Sequence, residues 1–266
     1  MSVKLGVIGG GVMGSAIVSR LLIQGIYQPA EILISEPTLQ QQESLQQQYG
    51  VGVTGDNNLA TIAPVLLLAI KPQIFGQVVG ALSQPSPTNL IISILAGVSI
   101  AQLEQAFPDR AVIRAMPNTP ATVGMGMTAI SAGNHVSAAH LELATQLFQA
   151  VGEVVTVPES LMDAVTGLSG SGPAFVAIAI EALADGGVAA GLPRQIADQL
   201  ALQTVLGTAQ LLNESKLHPA QLKDRVTSPG GTTITGVKTL EQAGFRSALI
   251  EAVIAAAKRS QELGNG

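Results

Sequence analysis

A glycine loop carries the first recognisable chemistry in this chain. In Gly6-Val7-Ile8-Gly9-Gly10-Gly11-Val12-Met13-Gly14 the spacing Gly-x-Gly-x-x-Gly falls on Gly9, Gly11 and Gly14, directly after an apolar strand-like run and at the start of a helix-like one. Bare backbone at Gly11 lets a phosphate approach, the helix start offers it unpaired amides, and Gly14 lets helix and strand lie close. With Gly10, Val12 and Met13 between them, these residues are candidates to hold the pyrophosphate of a dinucleotide. Glu36 follows the second strand-like run, 22 residues beyond Gly14, where an acid can accept hydrogen bonds from the adenosine ribose of NAD. Ser35 and Thr38 could instead donate to the extra phosphate of NADP, but no Arg or Lys lies between Glu31 and Lys71 to neutralise it. Lys71, in Ala69-Ile70-Lys71-Pro72, stands at the carboxyl end of another run, where doubly wound sheets place ligands. Glu36 otherwise reads as a solvated loop acid, and Lys71 as an ordinary surface lysine.

These groups need a scaffold, and the hydropathy pattern supplies one. Short β-rich runs at 3–8, 32–35, 65–70, 90–95, 111–116 and 154–157 predict parallel strands covered on both faces. Helix-like stretches such as 13–24 and 40–49 fill the gaps, so residues 1–157 are expected to form a doubly wound α/β, Rossmann-like dinucleotide-binding domain. Beyond Pro158 the β-rich runs stop. Residues 158–266 are expected to be all-helical, with helices from Pro173 to about 190, from Pro193 to about 212, over 219–226 and 233–242, and from Phe245 to about 263.

The 266 residues are 47% apolar and only 12% charged, against roughly a quarter charged in ordinary globular chains, which excludes disorder and assigns part of the apolar excess to a subunit interface. Thirteen basic against eighteen acidic residues give a net charge of −5, with no basic cluster and no Trp, so a nucleic-acid partner is not expected. The absence of cysteine removes disulfides, thiolate metal sites and thiol nucleophiles together, and His135, His140 and His218 are scattered. Glu181 and Asp185 interrupt the best apolar run, 174–190, so no membrane span is expected. The amino terminus has no leader character, and a cytoplasmic location is expected.

Three further stretches point to a family: Arg114-Ala115-Met116-Pro117-Asn118-Thr119-Pro120, Asp163-Ala164-Val165-Thr166-Gly167-Leu168-Ser169-Gly170-Ser171-Gly172-Pro173, and Ser228-Pro229-Gly230-Gly231-Thr232-Thr233 followed by Gly244-Phe245-Arg246. With Gly9 to Gly14 and Ile70-Lys71-Pro72 they resemble pyrroline-5-carboxylate reductase, in order and over essentially the whole chain. The resemblance implies reduction of L-1-pyrroline-5-carboxylate to L-proline by NADH or NADPH, the last step of proline biosynthesis. It also implies a homodimer through the helical domains, or a larger ring of dimers. By position it places Ser35 and Asn57 near the adenosine end, Ala69 to Pro72 along the cofactor and Asn118 near the nicotinamide. Substrate falls to Ser171 and Gly172 and to Gly231, Thr232 and Thr233, the latter from the same chain or across the dimer. Glu36 departs from the serine or basic residue often found there, which leaves the choice between NADH and NADPH open.

Imine reduction needs a hydride donor, a grip on the substrate and a proton on nitrogen, but no catalytic histidine, because the imine nitrogen is itself basic. The turn at 228–233 leads into a helix whose free amides suit the substrate carboxylate, and the Thr233 hydroxyl would bond the carboxylate or the ring nitrogen, or cap the helix. Gly170-Ser171-Gly172-Pro173 reads as a second such helix start, or as a capped start with a core stripe at Ala174, Ile178 and Ala182. Met116, Met125 and Met127 read as core filler. A β-hydroxyacid dehydrogenase is the competing enzyme, but 173–178 lacks the lysine expected one turn into that helix. A dinucleotide-binding regulator without turnover is the alternative from another class.

Overall fold

The computed structural model of the chain describes residues 2–83 and 88–264. Eight strands form one sheet: β1 (Leu5–Ile8), β2 (Ile32–Ser35), β3 (Gly52–Thr54), β4 (Val65–Leu68), β5 (Leu90–Ser93), β6 (Ala111–Met116), β7 (Gly126–Ala132) and β8 (Gly152–Thr156), in the order β3-β2-β1-β4-β5-β6-β7-β8. The first six run parallel; β7 runs antiparallel to β6 and β8 parallel to β7. Helices α1 (Val12–Ile23), α2 (Leu39–Tyr49), α3 (Asn57–Ala60), α4 (Phe75–Gly80), α5 (Ile100–Ala106) and α6 (Ala138–Gln149) connect and cover the strands. Strand order reverses at β1 and β4, which opens the crevice where such sheets take their ligands.

Period-2 alternation divides the core between the two faces of the sheet. Leu5, Val7, Ile32, Ile34, Leu67, Ile92 and Ile113 point to one side and meet Ile17, Leu21, Leu147 and Phe148 of α1 and α6. Ile8, Leu66, Leu68, Ile91 and Val112 point to the other and meet Ala60, Leu103 and Phe107. Two strands lie outside the pattern expected from sequence. β3 is a three-residue edge strand with no fully buried side chain, and β7, Gly-Met-Thr-Ala-Ile-Ser-Ala, has no run of β-branched apolar residues. The antiparallel direction of β7 corrects the all-parallel expectation. Met125 is 67% exposed and fills no core, whereas Met116 is buried.

Compactness divides the chain into one unit of 1–171 with 255–266 and another of 172–254, not at the 157/158 boundary expected where the β-rich runs end. The reason is packing: Met162 is fully buried against Met116 and Ala129, and the Ser260 hydroxyl donates to Asp163 Oδ1 at 2.6 Å.

From Glu159 to Ala189 the chain is one continuous helical stretch, made of a 3-10 turn, α7 (Met162–Val165), a π-turn (Thr166–Gly170) and α8 (Gly172–Ala189). By length and composition it could cross a membrane, which corrects the shorter run weighed from sequence. Only 6% of its most apolar window is buried within this chain. α9 (Arg194–Ser215), α10 (Pro219–Arg225), α11 (Thr232–Gln242) and α12 (Phe245–Gly264) follow.

In the second unit, α8 and α9 pack through small residues. Ala184, Ala197 and Ala201 form its buried cluster, and Gly187 lies against Ala197. The stripe expected to be core at Ala174, Ile178 and Ala182 is exposed instead, Ile178 by 64%. An apolar groove of about 570 Å³ lies among α10, α11 and α12, lined by Lys223, Val237, Leu240, Phe245 and Leu249.

Candidate active site

The glycine loop leaves β1 at the switch point and enters α1. Gly9 has φ +107°, and a Cβ there would lie 2.6 Å from the Ala69 carbonyl oxygen. A side chain at Gly14 would strike the Gly9 carbonyl oxygen, so this glycine sets how closely helix and strand approach. At Gly11 a Cβ would meet nothing within 4 Å, so the outer face of the loop is open. No side chain caps α1, and the amides of Gly11 to Gly14 find no acceptor among the described residues. An open, uncapped helix start with donors to spare fits a dinucleotide pyrophosphate.

Glu36 is tied to this loop rather than turned to solvent. Its Oε2 accepts from the Gly10 amide at 3.1 Å and its Oε1 from the Thr38 amide at 3.2 Å, fixing one negative charge beside the glycines. Ser35 is buried and donates to Asn57 Oδ1 at 2.7 Å, so its hydroxyl is not a free donor for a phosphate. The two residues expected near adenosine are thus brought together, and Asp56 caps the short helix that Asn57 opens. Ala69, whose amide donates to the Ile8 carbonyl at 2.8 Å, carries the chain past Gly9 into Ile70, exposed Lys71 and Pro72. Sequence reasoning missed the groups that shape the loop: Ser15 Oγ donates to the Gly10 and Gly11 carbonyls at 2.8 and 2.7 Å, and Gln41 Nε2 donates to Gly10 at 3.0 Å. Ser15 directly follows the last glycine, the one signal that could have found it.

Two ties hold the helical stretch after β8 to this unit. Arg114, with its side chain 7% exposed, donates to Glu159 Oε1 at 2.9 Å, and the same oxygen accepts from the Ile100 amide at 2.7 Å. Ten residues on, Asn118 Nδ2 donates to the Ser169 carbonyl at 3.1 Å while its Oδ1 accepts from the Met127 amide at 2.9 Å. α8 begins at Gly172, one residue before Pro173 as expected, but the Ser171 amide is spent on the Thr166 carbonyl at 2.9 Å, closing the π-turn. Of the amides expected to be free there, that of Ser171 is thus committed, and Pro173 has no N–H to give.

The turn before α11 keeps its expected form. Gly230 takes φ +67°, Gly231 occupies the N-cap position without a side-chain cap, and Thr233 is the second helical residue. The Gly231 amide closes the turn onto the Ser228 carbonyl at 3.0 Å and is spent, but the amides of Thr232 and Thr233 find no acceptor among the described residues. Thr233 is exposed, and its hydroxyl makes no hydrogen bond among them, so it is not a helix cap.

Among relatives in sequence, the pyrroline-5-carboxylate reductase of Synechocystis sp. is 60% identical over 265 residues, covering 99% of both chains. The chain belongs to the pyrroline-5-carboxylate reductase family. Residues 159–263 match the family model described as pyrroline-5-carboxylate reductase dimerisation, and 4–97 match NADP oxidoreductase coenzyme F420-dependent. Among solved structures, the family's protein from Coxiella burnetii superposes with TM-score 0.89 at 35% identity, covering 98% of each chain. The Plasmodium falciparum pyrroline carboxylate reductase, solved with NADP bound, gives 0.89 at 31% identity, again over 98% of each.

Among the described residues, three groups have their titration displaced. Burial raises the Tyr27 phenol, the Gln28 amide and Lys4 lower the Glu31 carboxyl, and Asp185 raises the Arg194 guanidinium. None of the three is a candidate site residue.

Proposed function

We infer that this chain reduces L-1-pyrroline-5-carboxylate to L-proline with NAD(P)H. The observation that carries the reading is 60% identity with a reductase of that name over 99% of both chains. Reduced nicotinamide, when bound, supplies the hydride. The chain's own part begins with Gly9 to Gly14, whose open face and unpaired amides would hold the pyrophosphate, while Ser35, Asn57 and Ala69 to Pro72 would line the dinucleotide. The amides of Thr232 and Thr233 would take the substrate carboxylate, with Gly231 keeping that turn clear of side chain. The Thr233 hydroxyl would bond the carboxylate or the ring nitrogen. Ser171 and Gly172 remain substrate contacts by position, with the Ser171 amide already committed to Thr166. Mixing the protein with pyrroline-5-carboxylate and either reduced nucleotide should consume the nicotinamide absorbance; no consumption with either would end the reading.

The working molecule is a homodimer or a larger ring of dimers. Support comes from the dimerisation match over 159–263 and from a helical unit whose buried cluster is three alanines while Ile178, Leu202, Leu206 and Ile250 are each more than half exposed. A second copy on these faces also accounts for the bare apolar helix without a bilayer. The cytoplasm is the proposed location, and the proposed functional division of the domains is at 157/158, next to the dimerisation match that begins at 159.

The Glu36 carboxylate bears on the choice of nucleotide. Held beside the loop, it repels a 2′-phosphate and can accept from a ribose, so NADH should be used with an efficiency within about tenfold of NADPH, a gap of roughly 1.4 kcal/mol. Glu36→Ser should move that ratio toward NADPH, by about tenfold. A wild-type preference for NADPH of about a thousandfold, in paired kcat/KM measurements, would show that the carboxylate has no such influence.

A further inference from the structure

Asn118 has its side-chain amide committed at both ends. It follows β6 on extended backbone, accepts from Met127 at the start of β7, and donates to the Ser169 carbonyl at 3.1 Å with Ser169 Oγ at 3.3 Å. The need for that donation is written in the sequence. In a regular helix the Ser169 carbonyl would receive the amide of the residue four further on, but that residue is Pro173 and has no N–H. A proline ring also crowds the carbonyl four residues before it, and here the helix widens into the π-turn closed from Ser171 to Thr166. Asn118 Nδ2 supplies the donor the proline withholds. β6 is parallel to β5, so Asn118 lies at the sheet edge that carries the glycine loop, on the far side of the switch point from the adenosine end.

We propose that Asn118 is a positioning residue: it fixes the π-turn, and with it the place of Ser171, instead of binding the cofactor through its side chain. This rests on the reductase reading above. Asn118→Asp keeps the acceptor for Met127 and removes the donor to Ser169. Its kcat/KM for pyrroline-5-carboxylate should fall about tenfold. Its Kd for NADH or NADPH, titrated by nucleotide fluorescence without substrate, should stay within about twofold. Pro173→Ala attacks the same feature from the other side by returning an N–H to the helix, so the π-turn relaxes and imine efficiency falls similarly without a lower Tm. The two losses should be non-additive in the double variant, because both act on one carbonyl.

A nucleotide Kd weakened about tenfold in Asn118→Asp, with imine parameters kept, would overturn the proposal in favour of direct cofactor binding. Normal imine efficiency in both variants would overturn it as well. If the wild-type protein failed to turn over the imine, the reductase reading would fall and this inference with it; wild-type turnover with both variants unaffected overturns the inference alone.

Discussion

The double variant Leu202→Lys, Leu206→Lys is expected to sediment as a monomer and to lose nearly all imine reduction. These leucines lie one turn apart on α9 and are 57% and 56% exposed in the single chain, on a helix whose buried residues are Ala197 and Ala201. If a second copy covers them, two leucines in each of two chains leave water. At about 1.5–3 kcal/mol per side chain this amounts to roughly 6–12 kcal/mol. At about 1.4 kcal/mol per tenfold, the dimer should weaken at least ten-thousandfold, before the repulsion of the new charges is counted. The fold of each chain should survive, since neither side chain belongs to the α8–α9 cluster. Sedimentation, circular dichroism and turnover on one preparation decide the matter. A fully active monomer, or an undisturbed dimer, would refute the interface.

Thr233→Ala should lower kcat/KM for pyrroline-5-carboxylate by roughly tenfold to over a hundredfold, the equivalent of one hydrogen bond to a charged or reacting group at about 1.5–3 kcal/mol. Nucleotide affinity should barely change. The usual ambiguity of a threonine at a helix start is absent here, because Gly231 holds the N-cap position and the Thr233 hydroxyl has no partner within the chain's described residues. Loss of a true cap would cost about 1 kcal/mol of stability, so an unchanged Tm with impaired imine turnover is the expected pair of results. A lowered Tm with wild-type efficiency would assign the hydroxyl to structure alone.

What the sequence could announce follows from how local each signal is. The glycine loop is legible because strand, turn and helix are contiguous, and the bounds of α8, α9, α11 and α12 follow from Pro173, Pro193, Gly231 and Phe245. β3 and β7 were invisible because neither contains a β-branched apolar run; partners in the sheet, not propensity, make them strands. The π-turn that spends the Ser171 amide was invisible because it depends on contacts that Arg114 and Asn118 make with the helical turns before α8. The commitments of Ser35 to Asn57 and of Glu36 to Gly10 span 22 and 26 residues, beyond any spacing rule.

The two ties on the helical stretch also make it a gauge. Glu159 is fastened to Arg114 and Ser169 to Asn118, so ten residues of helix, about 15 Å of rise, run beside four residues of extended chain, about 13 Å. The two lengths agree to within about 2 Å, and the angular position of Ser169 around the axis depends on the count. Inserting or deleting one residue between 159 and 169 would displace Ser169 by about 1.5 Å and swing it about 100° around the axis, and one fastening would have to open. Length variation in chains built on this plan is therefore expected to fall outside that interval.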